Sequence, residues 1–243
     1  MTVRPIDIAR KLNISTTTLR HYEERGLIPP VSRSTSGYRL FTDEHVAYFI
    51  CIREMMAGFN LTQIAKILTD VMAKNIEAAL WVVNKAQSDL YQDKIISEKI
   101  VLNLVRGNNR PPRLSRERLT IHDVSRETGV PATTIRYWDK VGLISVERDR
   151  ENRYRLFTSE HIRQILLIYA LKFSVYSTRR KYSVERVKEE LLAFDADDSE
   201  RIATIANDIK HHLDKVNRLQ IQGIVALHRL YTQVEANRFG VEG

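Results

Sequence analysis

The chain has 243 residues, 43% of them apolar, with nine glycines and six prolines; this allows one or two cored domains and excludes a disordered tail, collagen or a low-complexity linker. Lys and Arg total 38 against 30 Asp and Glu, a formal charge of +8, which points to a polyanionic partner, either nucleic acid or an anionic membrane surface. A single cysteine, Cys51, excludes an internal disulfide and an all-thiolate metal site within one chain.

Reading from the start, Pro5, Ile6 and Asp7 open a helix, because proline fits a first helical turn. Ile8, Ala9 and Leu12 give it an apolar face. Asn13 marks a tight turn. Ser15 caps a second helix with Leu19 and Tyr22 inward and Leu27 just beyond, and Gly26 ends it. Residues 31–33 and 38–41 flank a Ser-Thr-Ser-Gly tip at 34–37, a hairpin pattern. Thr42 caps a third helix through Met56, with Asp43 and Glu44 in its first turn. Asn60 or Thr62 opens a fourth. This order of elements is a winged helix-turn-helix.

The pattern then repeats. Residues 3–45 align without a gap to 119–161, with 15 of 43 positions identical. Thr17-Thr18-Leu19-Arg20 returns as Thr133-Thr134-Ile135-Arg136, and YRLFT at 38–42 returns at 154–158. GFNLTQIAKIL at 58–68 resembles KYSVERVKEEL at 181–191, with about seven extra residues near 173–180 in the second copy. The expected organisation is module one at 1–73, a long helix at 74–106, a basic linker at 107–117, module two at 118–195, and a second long helix with a tail at 196–243. The fold class is mainly α with small β-hairpin wings, each winged domain being followed by a long coiled-coil-type helix.

The string I-x-T-T-T-L-R-x-Y-x-x-x-G-L-I, then S-G-Y-R-L-F-T-x-E-x-V, then G-F-x-L-x-x-I resembles the DNA-binding domain of MerR-family transcription regulators. The second copy, V-P-A-T-T-I-R-Y-W-x-x-x-G-L-I with N-R-Y-R-L-F-T-x-E-H-I, resembles it too. Two departures stand out: Trp138 replaces the usual second Tyr, and Arg153 replaces the wing glycine kept at Gly37. The second wing is therefore expected to differ at its tip and in its groove contacts.

A recognition helix offers its N-terminal residues to base edges while its neighbours hold phosphates. The candidate DNA contacts in module one are Thr16, Thr17, Arg20 and His21 on the helix, with Arg33, Tyr38 and Arg39 on the wing. In module two they are Thr133, Arg136 and Tyr137, with Arg153, Tyr154 and Arg155. Ala132 stands where module one has Thr16, so the modules are expected to read different sequences. The resemblance implies that each Tyr-Arg pair anchors the sugar-phosphate backbone. Taken singly, Arg20 and Arg136 read equally well as solvated helix residues, and Tyr38 and Tyr154 as cross-strand aromatics. Joint recurrence of the Thr, the Arg and the Tyr-Arg pair in both copies favours DNA. Arg179, Arg180 and Lys181, between Tyr176 and Tyr182, read as a solvated loop or a phosphate grip.

No P-loop, GxSxG, HExxH or CxxC motif is present, so an enzyme is not expected. No metal is expected, and Cys51 reads as a buried thiol. No cofactor is evident; a small-molecule effector is possible but unidentified. No apolar run approaches the roughly 20 residues of a membrane span, and the N-terminal stretch lacks a signal-peptide core. The expectation is a bacterial, cytoplasmic, nucleoid-associated protein that binds double-stranded DNA, with RNA polymerase as a further partner at the promoter. The function expected is transcription regulation on a two-part operator or promoter by bending or untwisting DNA. A DNA-architectural or chromosome-organising role is the alternative.

The long helices bear on assembly. The second carries a stripe of Ile202, Ile205, Ile209, His212, Val216, Leu219, Gly223, Ala226 and Leu230. The first shows Ile76, Leu80, Val83 and Leu90, falters at Lys94 and Ser97, and resumes at Val101 and Leu104. The resemblance implies that two family chains pair such helices antiparallel, with each helix end beside the other chain's DNA-binding domain. A single chain imitating that dimer is favoured here; a homodimer through the long helices, with four DNA-binding domains, is the alternative.

Overall fold

The computed structural model describes residues 2–105, 118–177, 183–194 and 198–239. The linker at 107–117 and the basic run at 179–181 lie outside the described residues. In chain order, module one holds β1 (Thr2–Val3), α1 (Pro5–Lys11), α2 (Thr16–Glu24), β2 (Ser32–Arg33), β3 (Arg39–Thr42), α3 (Asp43–Met55) and α4 (Leu61–Met72). The long helix α5 (Ile76–Val105) follows. Module two holds α6 (Ile121–Thr128), α7 (Ala132–Lys140), β4 (Glu147–Arg148), β5 (Arg155–Leu156), α8 (Ser159–Ser177) and α9 (Val184–Leu192), and α10 (Ser199–Ala236) comes last. The fold is thus mainly helical with small hairpins.

Local chemistry sets these boundaries. The Ser15 hydroxyl accepts from the Thr18 amide at 3.1 Å and starts α2. Asn60 and Gln63 form a reciprocal capping box at the start of α4 (2.9 and 3.0 Å), and Thr120 and Asp123 do the same for α6. Such caps satisfy amides that have no partner inside the helix. The turn between the first two helices needs a left-handed residue: Asn13 supplies it at φ 51° and Gly129 at φ 78°.

The chain divides into two compact units, Met1–Asp89 with Lys215–Gly243, and Leu90–Asp214. The first unit is built on Leu19, Phe41, Phe49 and Ile52, joined by Ile76, Ala79, Val83 and Ala86 from α5 and by Ala226, Leu227, Leu230 and Val234 from α10. Each fully buried Leu, Ile or Val contributes about 1.5–3 kcal/mol relative to exposure. The approach is close. A Cβ on Gly58 would lie 2.5 Å from the Gln220 amide nitrogen, and one on Gly223 would lie 3.0 Å from the Phe59 ring. β1 pairs antiparallel with β3 and extends the wing to three strands.

The second unit is built on Val124, Ile135, Trp138, Phe157 and Ile165, joined by Ile96 and Ile100 from α5 and by Ile205, Ile209 and Leu213 from α10. The Tyr169 hydroxyl donates to the Asp93 carboxylate of α5, and the Lys99 ammonium donates to the Glu127 carbonyl at 2.9 Å. In place of a third strand, Leu119 bridges Phe157. Thus the later part of α5 is seated with module two, and the later part of α10 with module one.

The expected stripe on α5 needs correction. Leu80 is 39% exposed, and Ala79 takes the inward position. Ser97 does not interrupt the stripe: it is buried, and its hydroxyl donates to the Asp93 carbonyl one turn earlier at 2.7 Å. The inward set steps from 76, 79, 83 and 86 to 96 and 100 because the helix changes neighbours along its length. On α10, Leu213, Gln220, Leu227 and Val234 are buried beside Ile202, Ile205, Ile209, Gly223, Ala226 and Leu230 of the stripe, whereas His212, Val216 and Leu219 are only half-buried. Cys51 is buried, and desolvation pushes its thiol well above the ordinary range, which makes it inert.

Candidate nucleic-acid interface

In module one, burial of Leu19 and Tyr22 fixes which face of α2 turns outward. Thr16, Thr17, Arg20 and His21 stand on exposed positions, and His21 Nδ1 lies 3.3 Å from Glu24 Oε2. In module two, burial of Ile135 and Trp138 does the same for α7, leaving Thr133, Arg136 and Tyr137 exposed. Trp138 is therefore a core residue, as Tyr22 is in module one. The wing tyrosines project: Tyr38 is 74% exposed and Tyr154 73%. The two rings stand at matching positions of the repeat.

The wing arginines behave differently. Arg39 donates to the Glu23 carboxylate of α2, and Arg155 Nε donates to Asp139 Oδ2 of α7 at 2.7 Å. Both guanidinium groups are largely covered. They tie each wing to its own recognition helix, a role that motif reading did not foresee. Arg33 also leans on Glu23, at 3.7 Å.

The two hairpins differ in register. Arg33 pairs with Arg39 in the first, but Arg148 pairs with Arg155 in the second, so the second tip is one residue longer. Arg148 is thereby the structural counterpart of Arg33. Asp149 organises the longer tip, accepting from the amides of Glu151 (2.9 Å) and Asn152 (3.1 Å). These amides, aided by Arg118, hold the Asp149 carboxyl below its ordinary range against the opposing effect of desolvation. Arg153 sits at φ 62°, where module one has Gly37 at φ 81°. A non-glycine residue there costs about 1 kcal/mol or more.

Module two gathers its cations around a hollow of about 730 Å³ between the start of α6, α7 and the wing. Arg136, Arg153, Tyr154 and Arg155 line it, as do Arg118, His122 and Arg148, which sequence reading missed. Thr133 and Tyr137 are not part of this lining. Among the described residues no group of His, Cys, Asp and Glu could hold a metal ion, and no helix is long and apolar enough to cross a membrane.

A family model described as "MerR family regulatory protein" matches residues 4–41, and one described as "MerR HTH family regulatory protein" matches residues 119–191. The chain carries the MerR-type domain twice. Over 63 residues it is 35% identical to the HTH-type transcriptional regulator CueR of Salmonella typhi and 41% identical to CueR of Vibrio cholerae. Over 63 residues it is 36% identical to the mercuric resistance operon regulatory protein of Bacillus cereus. These alignments cover 26% of this chain and 46%, 45% and 48% of the three relatives. The chain thus spans just under half the length of the curated relatives it matches. No solved structure matches it.

Proposed function

We propose that this protein is a DNA-binding transcription regulator whose two MerR-type modules engage the two parts of one operator or promoter, and that it works by bending or untwisting the DNA between them. RNA polymerase is then the downstream partner, served by realigned promoter elements. The observation that carries the reading is the doubled outward set: an exposed threonine and an arginine on each recognition helix, beside a wing with a projecting tyrosine. Arginine and threonine are suited to base edges and phosphates, and a wing held beside the helix adds backbone contacts.

One chain standing in for a family dimer is part of the same proposal. The resemblance puts the end of each long helix beside the other chain's DNA-binding domain. In this chain Ile96 and Ile100 of α5 are in module two's core, and Leu227 and Leu230 of α10 are in module one's core. Each module therefore receives from its own chain the helix end that a second protomer would bring. Selection of binding sites from random duplexes, followed by footprinting, tests the reading. A bipartite site with unlike halves at a few promoters is expected. Uniform coating of weakly related sites would replace it with the architectural role.

A further inference from the structure

The hollow in module two is strongly cationic. Arg118, Arg136, Arg148, Arg153 and Arg155 converge on it from three elements. Arg155 is engaged by Asp139, and Arg118 lies 3.7 Å from Asp149; among the described residues Arg136, Arg148 and Arg153 make no ion pair. Module one is not built this way. Thr2 stands where Arg118 is, Gly37 where Arg153 is, and Arg33, the counterpart of Arg148, leans on Glu23. Moreover, Arg153 keeps a left-handed backbone that a glycine would adopt without strain. A charged side chain held in that conformation beside other unpaired cations points to a ligand for the charge.

We propose that this hollow is a cradle for backbone phosphodiesters, through which module two grips duplex DNA with little regard to sequence, leaving base discrimination mainly to module one. The inference rests on the DNA-binding reading and adds an unequal division of work to it. The chemistry favours phosphate: guanidinium groups recognise phosphate oxygens in a fork geometry, and the hollow adjoins Arg136 of the recognition helix. Ala132 has no hydroxyl where module one offers Thr16, so module two also has less to read bases with.

The test is an anisotropy titration of the full chain on its selected operator at several salt concentrations. Wild type is compared with Arg118→Ala/Arg148→Ala and with Arg153→Gly. The double variant should lower the slope of log K against log salt by about 2 and lose on the order of tenfold or more on every duplex, scrambled ones included. Arg153→Gly serves as a folding control: it relieves the backbone and should melt no earlier than wild type, yet lose about 1 from the slope. Scrambling the half-site whose protection Arg136→Ala removes should cost several-fold less than scrambling the other half. Unchanged slopes in both variants, or a greater cost at the half-site of module two, would overturn the cradle while leaving DNA binding intact. A wild-type slope near zero would instead overturn the DNA-binding reading itself. Titration with inorganic pyrophosphate separates a free anion from a DNA phosphate: saturable micromolar binding would assign the hollow to a small ligand and overturn the proposal, and weak, salt-like competition is expected.

Discussion

Arg155 Nε donates to Asp139 Oδ2 at 2.7 Å, across 16 residues, and so fastens the wing of module two to its recognition helix. Arg39 and Glu23 make the same connection in module one. An arginine placed this way fixes the angle between the wing and the recognition helix.

Arg39→Ala and Arg155→Ala should each weaken binding to all duplexes by roughly tenfold and lower the melting temperature by about 2–4 °C, from the loss of about 1 kcal/mol. Asp139→Asn should lower the melting temperature comparably but leave the salt slope unchanged, because the cation remains. An Arg155→Ala protein that melts early yet keeps the wild-type salt slope would show that Arg155 only positions the wing.

Thr16 is expected to contact bases. A Thr16 substitution series should alter preference in one half-site and leave the other unchanged, with about 1–3 kcal/mol of discrimination at the affected base pair. Identical selected sequences across the series would remove Thr16 from base reading.

The salt dependence of the whole complex follows from two sets of phosphate contacts. With about eight phosphates neutralised, log K should fall against log salt with a slope near about −7. The measurement is equilibrium binding on a defined operator between low and physiological salt. A slope near zero would contradict the cationic faces of both modules.

Gly58 tests the seat of α10 on module one. Its added Cβ would meet Gln220 backbone at 2.5 Å, where nothing flexible can yield. Gly58→Ala should cost about 1–3 kcal/mol, measured by urea unfolding. Gly26→Ala, with open space but φ 64°, should cost about 1 kcal/mol from backbone strain alone. Wild-type stability in Gly58→Ala would mean that α10 does not pack there in solution.

The tip of the second wing should respond to acid. The folded Asp149 carboxyl titrates below its ordinary value, so its contribution is present above the unfolded pKa and is lost as pH falls through the lower, folded one. The protection factors of the Glu151 and Asn152 amides, relative to intrinsic exchange at each pH, should fall in that window. Asp149→Asn, which keeps the oxygen acceptor, should flatten the response. Exchange at these amides that is indifferent to acid would exclude this role.

Much of this architecture was legible in the chain because it is written locally. Ser15, Asn60 and Thr42 announce helix starts by a side chain reaching three residues ahead, and the repeat announces the second module. The features that escaped reading are those made across elements. Glu23 and Asp139 carry no local mark of the arginine they hold. Arg148 was hidden because an ungapped alignment sets Asp149, not Arg148, opposite Arg33, whereas strand pairing moves the register by one. Leu80 misled because a single heptad stripe assumes one neighbour throughout, and α5 has its first half in one core and its second half in another. The hollow of module two depends on three elements meeting, which no spacing in the sequence displays.

One chain is proposed to perform the work of a family dimer. Light scattering of the purified complex with a full bipartite operator, coupled to size exclusion, measures chains per duplex directly. One 28.2 kDa chain per operator is expected, with both half-sites protected at that ratio. Two or more chains per operator would contradict it.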